Sequence, residues 1–210
     1  MKKFFTTSDI IDLPLFLPEA AVWSRLGRNR YLSKMTGPEE IQMKLAMHKA
    51  LDLCRVQGRW MLLEITRQES DWLEVDGNWQ IVSREFVNFA AGSSYLFLGA
   101  VTAGGKISEL IARSQDKLAE AVVYDAVGSE VADAAIGSLQ KIASKQLERS
   151  NLAVSERRFS PGYGNLHLDS VQTEIFKRLK LEELGMSLSA SFIMQPEKSV
   201  TAFAGVKETI

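Results

Sequence analysis

The sequence predicts an α+β fold with a mixed or largely antiparallel sheet and long helices. Three observations predict it. Strand-like and helix-like runs do not alternate regularly, which argues against a doubly wound sheet. Two short apolar patterns flank Asp76-Gly77-Asn78 in the manner of a hairpin. Finally, about 34 consecutive residues from Asp116 to Arg149 carry a helical pattern. No repeat, low-complexity tract or linker interrupts the chain. At 210 residues and 46% hydrophobic it can bury a sizeable core, so residues 1–210 are expected to form a single domain.

The elements follow in order. A first helix is expected from Pro18 to Gly27, because proline suits the first helical position and glycine the residue past the end. Thr36-Gly37-Pro38-Glu39 has capping-box spacing, and Glu39 and Glu40 sit near the positive end of the helix dipole. Gly58 is expected to close that helix, whose interior offers Ile41, Leu45, Leu51 and Leu53 for burial. Trp60 to Thr66 reads as a strand, Trp72–Val75 and Trp79–Val82 as the hairpin arms, and Tyr95 to Thr102 as a buried strand before Gly104-Gly105. A straight helix over 116–149 would be roughly 50 Å long at about 1.5 Å per residue. That exceeds the span of a compact domain, so a bend is expected near Gly128 or Gly137. The small residues Ala121, Ala126, Gly128, Ser129, Ala132, Ala135 and Ser138 would let another backbone, or a ligand, approach closely. Asp169 with Gln172 has the spacing of a second capping box, and Val171, Ile175 and Leu179 line one face of the helix it would start. Leu188 to Met194 and Ser199 to Val206 alternate around Gln195-Pro196 like two closing strands.

Charge and cysteine content exclude whole classes of function. With 25 basic against 26 acidic residues the net charge is −1, which gives no general attraction to nucleic acid or to an anionic membrane. The single Cys54 excludes an internal disulfide and a thiolate metal cluster and suits a reducing cytoplasm. Met1-Lys2-Lys3-Phe4-Phe5 mimics the charged start of a signal peptide, but Thr6, Thr7, Ser8 and Asp9 interrupt any apolar segment. No run of about 18 apolar residues follows, so a cytoplasmic protein is expected.

The densest chemistry lies in Arg158-Phe159-Ser160-Pro161-Gly162-Tyr163-Gly164. Pro161 fixes its own φ and pushes Ser160 into an extended conformation, while Gly162 can take the positive φ required at the third position of a type II turn. Pro161 has no N–H, and the neighbouring backbone groups cannot all join a sheet, which leaves some of them for a ligand. Arg158 offers a planar fork matching a carboxylate, a geometry lysine lacks. The opposing reading is a tight corner with Tyr163 packed on the core and Arg158 paired to a surface acid.

Other candidates fail on their spacing. Gly99-Ala100-Val101-Thr102-Ala103-Gly104-Gly105-Lys106 resembles a phosphate loop, but the lysine falls one residue late and Ile107 replaces the hydroxyl that would hold magnesium. His48 and His167 have no second histidine or cysteine at metal spacing. Asp125, Glu130 and Asp133 could pair as acid and base, yet their commoner role is solvated surface charge.

The turn sequence, followed by Leu168 and Gln172 and then by Ser191-Phe192-Ile193-Met194-Gln195-Pro196-Glu197-Lys198-Ser199-Val200, resembles the activation (reactivation) domain of vitamin B12-dependent methionine synthase. Asp125 to Ala134 is similar to the small-residue helix before that motif, so the resemblance is clearest over 125–206. It implies the family's fold, binding of S-adenosylmethionine, and presentation of that ligand to an oxidised cobalamin. It places Arg158 on the ligand's carboxylate, Asp133 near its amino or sulfonium group, Ser160, Pro161 and Gly162 against adenine or ribose, and Tyr163 against the corrin. Ala204 and Gly205 stand near where the family has aromatic residues contacting the ligand, and Asn165 stands where many relatives place an acid. The chain lacks the Asp-x-His-x-x-Gly context of the histidine that replaces cobalamin's lower ligand, and one cysteine cannot build a zinc–thiolate site for homocysteine. The family role would therefore be played on a separate corrinoid methyltransferase that holds the cobalamin, with flavodoxin or an iron–sulfur protein as reductant. Two alternatives remain: a docking subunit that does not use S-adenosylmethionine, and an independent methyltransferase, for which no acceptor site is visible.

Overall fold

The computed structural model describes residues 7–27, 36–114 and 116–209. The charged start at Met1–Phe5 lies outside them. A short strand β1 (Ile11–Asp12) is followed by helices α1 (Glu19–Arg25) and α2 (Gly37–Leu51) and by strands β2 (Gln57–Gln68), β3 (Trp72–Val75) and β4 (Trp79–Val82). Helix α3 (Arg84–Ala90), strand β5 (Tyr95–Thr102), helices α4 (Gly105–Arg113) and α5 (Leu118–Glu148) and strand β6 (Leu152–Val154) come next. Helix α6 (Leu168–Leu179), a 3₁₀ turn (Leu181–Leu184) and strands β7 (Ser187–Leu188), β8 (Met194–Gln195) and β9 (Ser199–Glu208) complete the order.

The main sheet runs β4-β3-β2-β5-β9-β6, with β1 also on β2, and all its pairings are antiparallel. Trp60, Leu62, Phe97, Val101, Ala202 and Ala204 face α1, α2, α4 and α5, whereas Leu63, Leu96, Leu98 and Phe203 face α3 and α6. Both faces of the central strands are thus covered, which is why Tyr95–Thr102 reads as an unbroken apolar run. The α+β expectation holds, as do the hairpin at Asp76-Gly77-Asn78, the strand Tyr95–Thr102, and a first helix bounded by Pro18 and Gly27.

Several local expectations are corrected. Helix α2 ends at Leu51, and Gly58 lies inside β2. A side chain at Gly58 would meet Val101 Cγ1 at 2.9 Å and Leu139 Cδ2 at 3.1 Å, so this glycine admits α5 to the sheet. Ile41 and Leu45 are 61% and 65% exposed, and Leu53 lies beyond the helix; the buried stripe is Met47 and Ala50, with Met43 and Ala46 beside it. Small and flexible side chains let α2 sit close on α5, and the larger aliphatics fall outside the contact. Helix α5 continues without interruption through Gly128 and Gly137 for 31 residues. Those glycines serve close approach: a side chain at Gly128 would strike the Lys198 stem at 2.9 Å, and one at Gly137 would lie 3.6 Å from Arg158 Nη1.

Asp169 is not a cap, because α6 starts one residue earlier with His167 as its N-cap. Leu188 to Met194 is not a long strand but the short ribbon β7–β8 and its loop; only Ser199 onward forms an extended closing strand. Val171, Ile175 and Leu179 are buried along one face of α6 as expected. Helices α3 and α4 and strands β1 and β6 were not expected from the sequence. Helix α3 carries a plain start signal all the same, since the Ser83 hydroxyl accepts the Phe86 N–H at 3.1 Å.

Candidate functional site

The candidate site forms where the edge of β9 meets α5. After β6, the chain stays on that edge: Ser155 N–H donates to Gly205 O at 2.8 Å, and Phe159 exchanges N–H···O bonds with Phe203 at 2.9 and 2.8 Å. Between these two attachments β9 advances from Gly205 to Phe203 while the other segment advances from Ser155 to Phe159. Glu156, Arg157 and Arg158 thus stand against the single residue Ala204 and bulge outward, as extra residues at a sheet edge do. Phe159 fixes the bulge from below, with its ring 5.5 Å from Phe86 and 5.4 Å from Phe89.

Arg158 leaves this bulge and lies across the bare backbone of Gly137. Its Nη1 donates to Gln140 Oε1 at 3.0 Å, and Gln140 Nε2 in turn donates to Ser155 O. Its Nη2 stands 3.8 Å from Asp133 Oδ1, beyond hydrogen-bond range. Arg158 and Asp133 are therefore neighbours, and the arginine is oriented without being saturated. Three consecutive turns of α5 carry Asp125, Ser129 and Asp133 at i, i+4 spacing, which aligns them on one shoulder of the helix.

The turn has the expected geometry. Tyr163 N–H donates to Ser160 O at 3.3 Å, with Gly162 at φ 91°, which makes Ser160-Pro161-Gly162-Tyr163 a type II turn. Pro161 is buried and Tyr163 is 71% exposed, so the tyrosine is displayed and does not pack on the core. The Gly162 N–H donates to Leu166 O at 2.7 Å, so this group is not free for a ligand. Asn165 latches the turn to the start of α3: its Oδ1 accepts the Ser83 hydroxyl at 2.5 Å and the Glu85 N–H at 3.4 Å. Gly164, at φ 55°, leaves the space that the Glu85 carboxylate occupies.

Ala204 and Gly205 lie inside β9 and are buried, opposite Phe97 and Leu96 respectively. A side chain at Gly205 would collide with Ser93 Oγ. These two positions are built into the sheet, on the stretch of β9 that the Arg158 bulge flanks. The sequence reading also missed Gln140, which orients Arg158, and the cluster at the other end of the α5 shoulder. There Lys198 Nζ donates to Asp125 Oδ1 at 2.6 Å and to Ser129 Oγ at 3.0 Å, its stem laid over Gly128. The i, i+4 spacing of Asp125, Ser129 and Asp133 was the available signal.

Titration gives little reason to expect acid–base chemistry elsewhere. Burial pushes the Cys54 thiol up to about 11, which keeps it protonated at neutral pH. No group of three or more His, Cys, Asp or Glu residues that could hold a metal ion exists among the described residues. Nor is any described helix long and apolar enough to cross a membrane.

No family model matches the chain, and no curated protein matches it. Comparison with solved structures does find a match: the MetH reactivation domain bound to AdoHcy superposes with a TM-score of 0.70 at 16% identity, covering 97% of this chain and 79% of that one. The fold is that of a MetH reactivation domain. The match covers 97% of this chain and so extends well beyond residues 125–206, where the sequence resemblance is clearest.

Proposed function

We propose that this chain, acting as one unit over residues 1–210, binds S-adenosylmethionine at the Arg158 fork and presents it to a cobalamin held by a separate corrinoid-dependent methyltransferase, such as a split methionine synthase. The observation that carries the reading is the pairing of Arg158 with Asp133 across Gly137, beside a turn that displays Tyr163, in a fold whose solved relative holds AdoHcy. A zwitterionic amino acid needs a cation for its carboxylate and an acid for its ammonium, and these two side chains supply both. Arg158 Nη2 can turn to a carboxylate because Asp133, 63% exposed and 3.8 Å away, holds it loosely. The polar groups of Ser160–Gly162 that the turn does not use then meet the ribose or adenine, and Tyr163 presents its broad face to the corrin.

Bound S-adenosylmethionine supplies the methyl group, and the polypeptide supplies position and electrostatics. Arg158 orients the amino-acid end, Asp133 offsets the ligand's positive charge, and Tyr163 covers the macrocycle. The electron comes from a low-potential donor such as flavodoxin or an iron–sulfur protein. A cytoplasmic setting suits that chemistry.

Calorimetric titration with S-adenosylmethionine and S-adenosylhomocysteine tests the reading. Arg158→Ala is expected to cost about 1.5–3 kcal/mol, or roughly 10- to 150-fold in affinity. A folded Arg158→Ala protein that binds as tightly as wild type would overturn it. In a coupled assay with an oxidised corrinoid methyltransferase, reductant and S-adenosylmethionine, wild type should give the spectrum of methylcobalamin and Arg158→Ala should not at limiting ligand. A docking subunit that does not use S-adenosylmethionine would be indifferent to both the substitution and the ligand.

A further inference from the structure

The two edges of the main sheet are finished differently. At one edge β6 spans only three residues and is followed by the Glu156–Arg158 bulge, and short strands and bulges both discourage a further strand from adding. At the other edge β4 carries no charge, no proline and no bulge along Trp79-Gln80-Ile81-Val82. Its register with β3 decides which backbone groups are free. Ser83 N–H donates to Asp71 O at 2.8 Å, so Ile81 and Trp79 also turn their N–H and C=O groups to β3, and Gln80 and Val82 turn theirs outward. These two donors and two acceptors have no partner among the described residues.

The side chains add to the opening. Trp79 and Ile81 are buried with the α3 and α6 side chains, which by alternation leaves Gln80 and Val82 on the opposite face. Val82 is 60% exposed there, beside its half-buried cross-strand neighbour Trp72. Just past the strand, Arg84 is exposed and pairs with no described residue. At the far end of the same strand the turn displays Asp76 and Asn78.

We propose that β4 pairs antiparallel with β4 of a second copy of this chain, about a twofold axis at Ile81, so that the sheet continues across two molecules. The axis sets Gln80 of one copy opposite Val82 of the other. Each such pair exchanges two N–H···O bonds, which satisfies every free group on both edges at once. The same register sets position 84 against position 78, so the free Arg84 of each copy approaches the Asp76–Asn78 turn of the other. That match of cation to acid is what favours a second copy over an extended segment of different sequence, since any strand could satisfy the backbone alone. Four residues per copy bury less than the roughly 800 Å² per partner of a standard interface, so the dimer is weak, with a Kd of about 0.1 mM. The pairing does not depend on a ligand at Arg158.

Static light scattering on the full chain between about 10 µM and about 1 mM tests the pairing, and the mass should rise from monomer toward dimer. Amide hydrogen exchange at Gln80 and Val82 should slow by about fourfold over that range, as the monomer fraction falls, while Trp79 and Ile81, already bonded to β3, change little. Gln80→Pro removes one outward N–H and leaves the bonds to β3 intact; Val82→Lys puts a charge on the edge. Each should weaken association by at least tenfold, and either one decides the matter if the other fails to fold by circular dichroism. Arg84→Glu should weaken it by about three- to tenfold, and added salt should act in the same direction on wild type. A chain that stays monomeric to about 1 mM would overturn the proposal. So would a dimer that survives both edge substitutions, or one that slows exchange elsewhere and not at Gln80 and Val82. If the free chain is monomeric and these two amides slow only when a corrinoid methyltransferase is added, the edge belongs to a different partner and the second-copy assignment falls.

Discussion

Arg59 and Arg158 both emerge from the sheet and both carry a guanidinium, but they are surrounded differently. Arg59 is 6% exposed; its Nη1 donates to Leu179 O at 3.0 Å and Lys180 O at 3.2 Å, and its Nη2 to Glu183 Oε2 at 2.7 Å. Both carbonyls lie where α6 ends in the left-handed Lys180, and the Lys180 carbonyl also accepts the Glu183 N–H at 3.1 Å. Arg59 therefore ties the end of α6 to β2. Arg158 makes one good hydrogen bond, to Gln140, and stands 3.8 Å from its acid. An arginine whose two Nη groups are both taken up by a helix end and a carboxylate is structural, even with its buried Nε unpartnered; one with an exposed Nη2 held only loosely retains capacity for a ligand.

Stability measurements break this comparison most directly. Arg59→Ala removes the donor to the Leu179 carbonyl and one of two donors to the Lys180 carbonyl, and opens space beneath the 3₁₀ turn. The expected loss is about 3 kcal/mol by chemical denaturation at neutral pH, at about 1–3 kcal/mol for each buried group left unpaired. Arg158→Ala should change stability by less than about 1 kcal/mol, as truncation of a half-exposed side chain does. Equal losses from the two substitutions would mean that Arg158 holds the bulge to α5 as firmly as Arg59 holds α6 to the sheet.

Acid titration gives a smaller effect at the same place. The hydrogen bond and charge of Arg59 hold the Glu183 carboxyl below its ordinary value of 4.5. A depressed folded-state value means that the pair stabilises the fold above the unfolded value and loses that contribution as pH falls through the folded one. Glu183→Gln should therefore differ from wild type in stability at neutral pH and converge with it as the pH drops below about 4. A gap that stays constant across this range would show that Glu183 acts through packing and not through its charge.

The sequence shows which of these roles it can express locally. Pro161 and Gly162 specify the type II turn by their own φ requirements, and the turn was legible for that reason. Asp133 was singled out by the resemblance, which has an acidic helix residue there, since the residues alone do not raise it above Asp125 or Glu130. Arg59 was invisible, since its partners at Leu179, Lys180 and Glu183 lie more than 100 residues away. The same non-locality hid Lys198 with Asp125. In α2 the apolar pattern itself misled: Ile41 and Leu45 are more hydrophobic than Ala46 and Ala50, but α5 approaches the side with the smaller side chains. Gly58, Gly128 and Gly137 read as helix signals, and each marks a place where something distant comes close.

Tyr163 sharpens the comparison from the other side, because its predicted effect on stability is near zero. The ring is 71% exposed, and the turn that carries it is held by backbone bonds at Gly162 and Leu166 and by the Asn165 latch on Ser83. Tyr163→Ala should leave the denaturation midpoint unchanged within about 0.5 kcal/mol, as for a surface substitution away from any cap or core contact. Affinity for S-adenosylhomocysteine should stay within about threefold, since the Arg158 fork does not depend on the ring. If the proposed reading holds, docking to a corrinoid methyltransferase, read as the concentration dependence of cobalamin methylation, should weaken by about tenfold or more, as for a large aromatic anchor in an interface. Equal loss of ligand affinity and docking would assign Tyr163 to the ligand pocket. Asn165→Ala separates display from contact: it keeps the ring but releases the latch, so it should weaken docking less than Tyr163→Ala while lowering stability by about 1 kcal/mol through the lost hydrogen bonds.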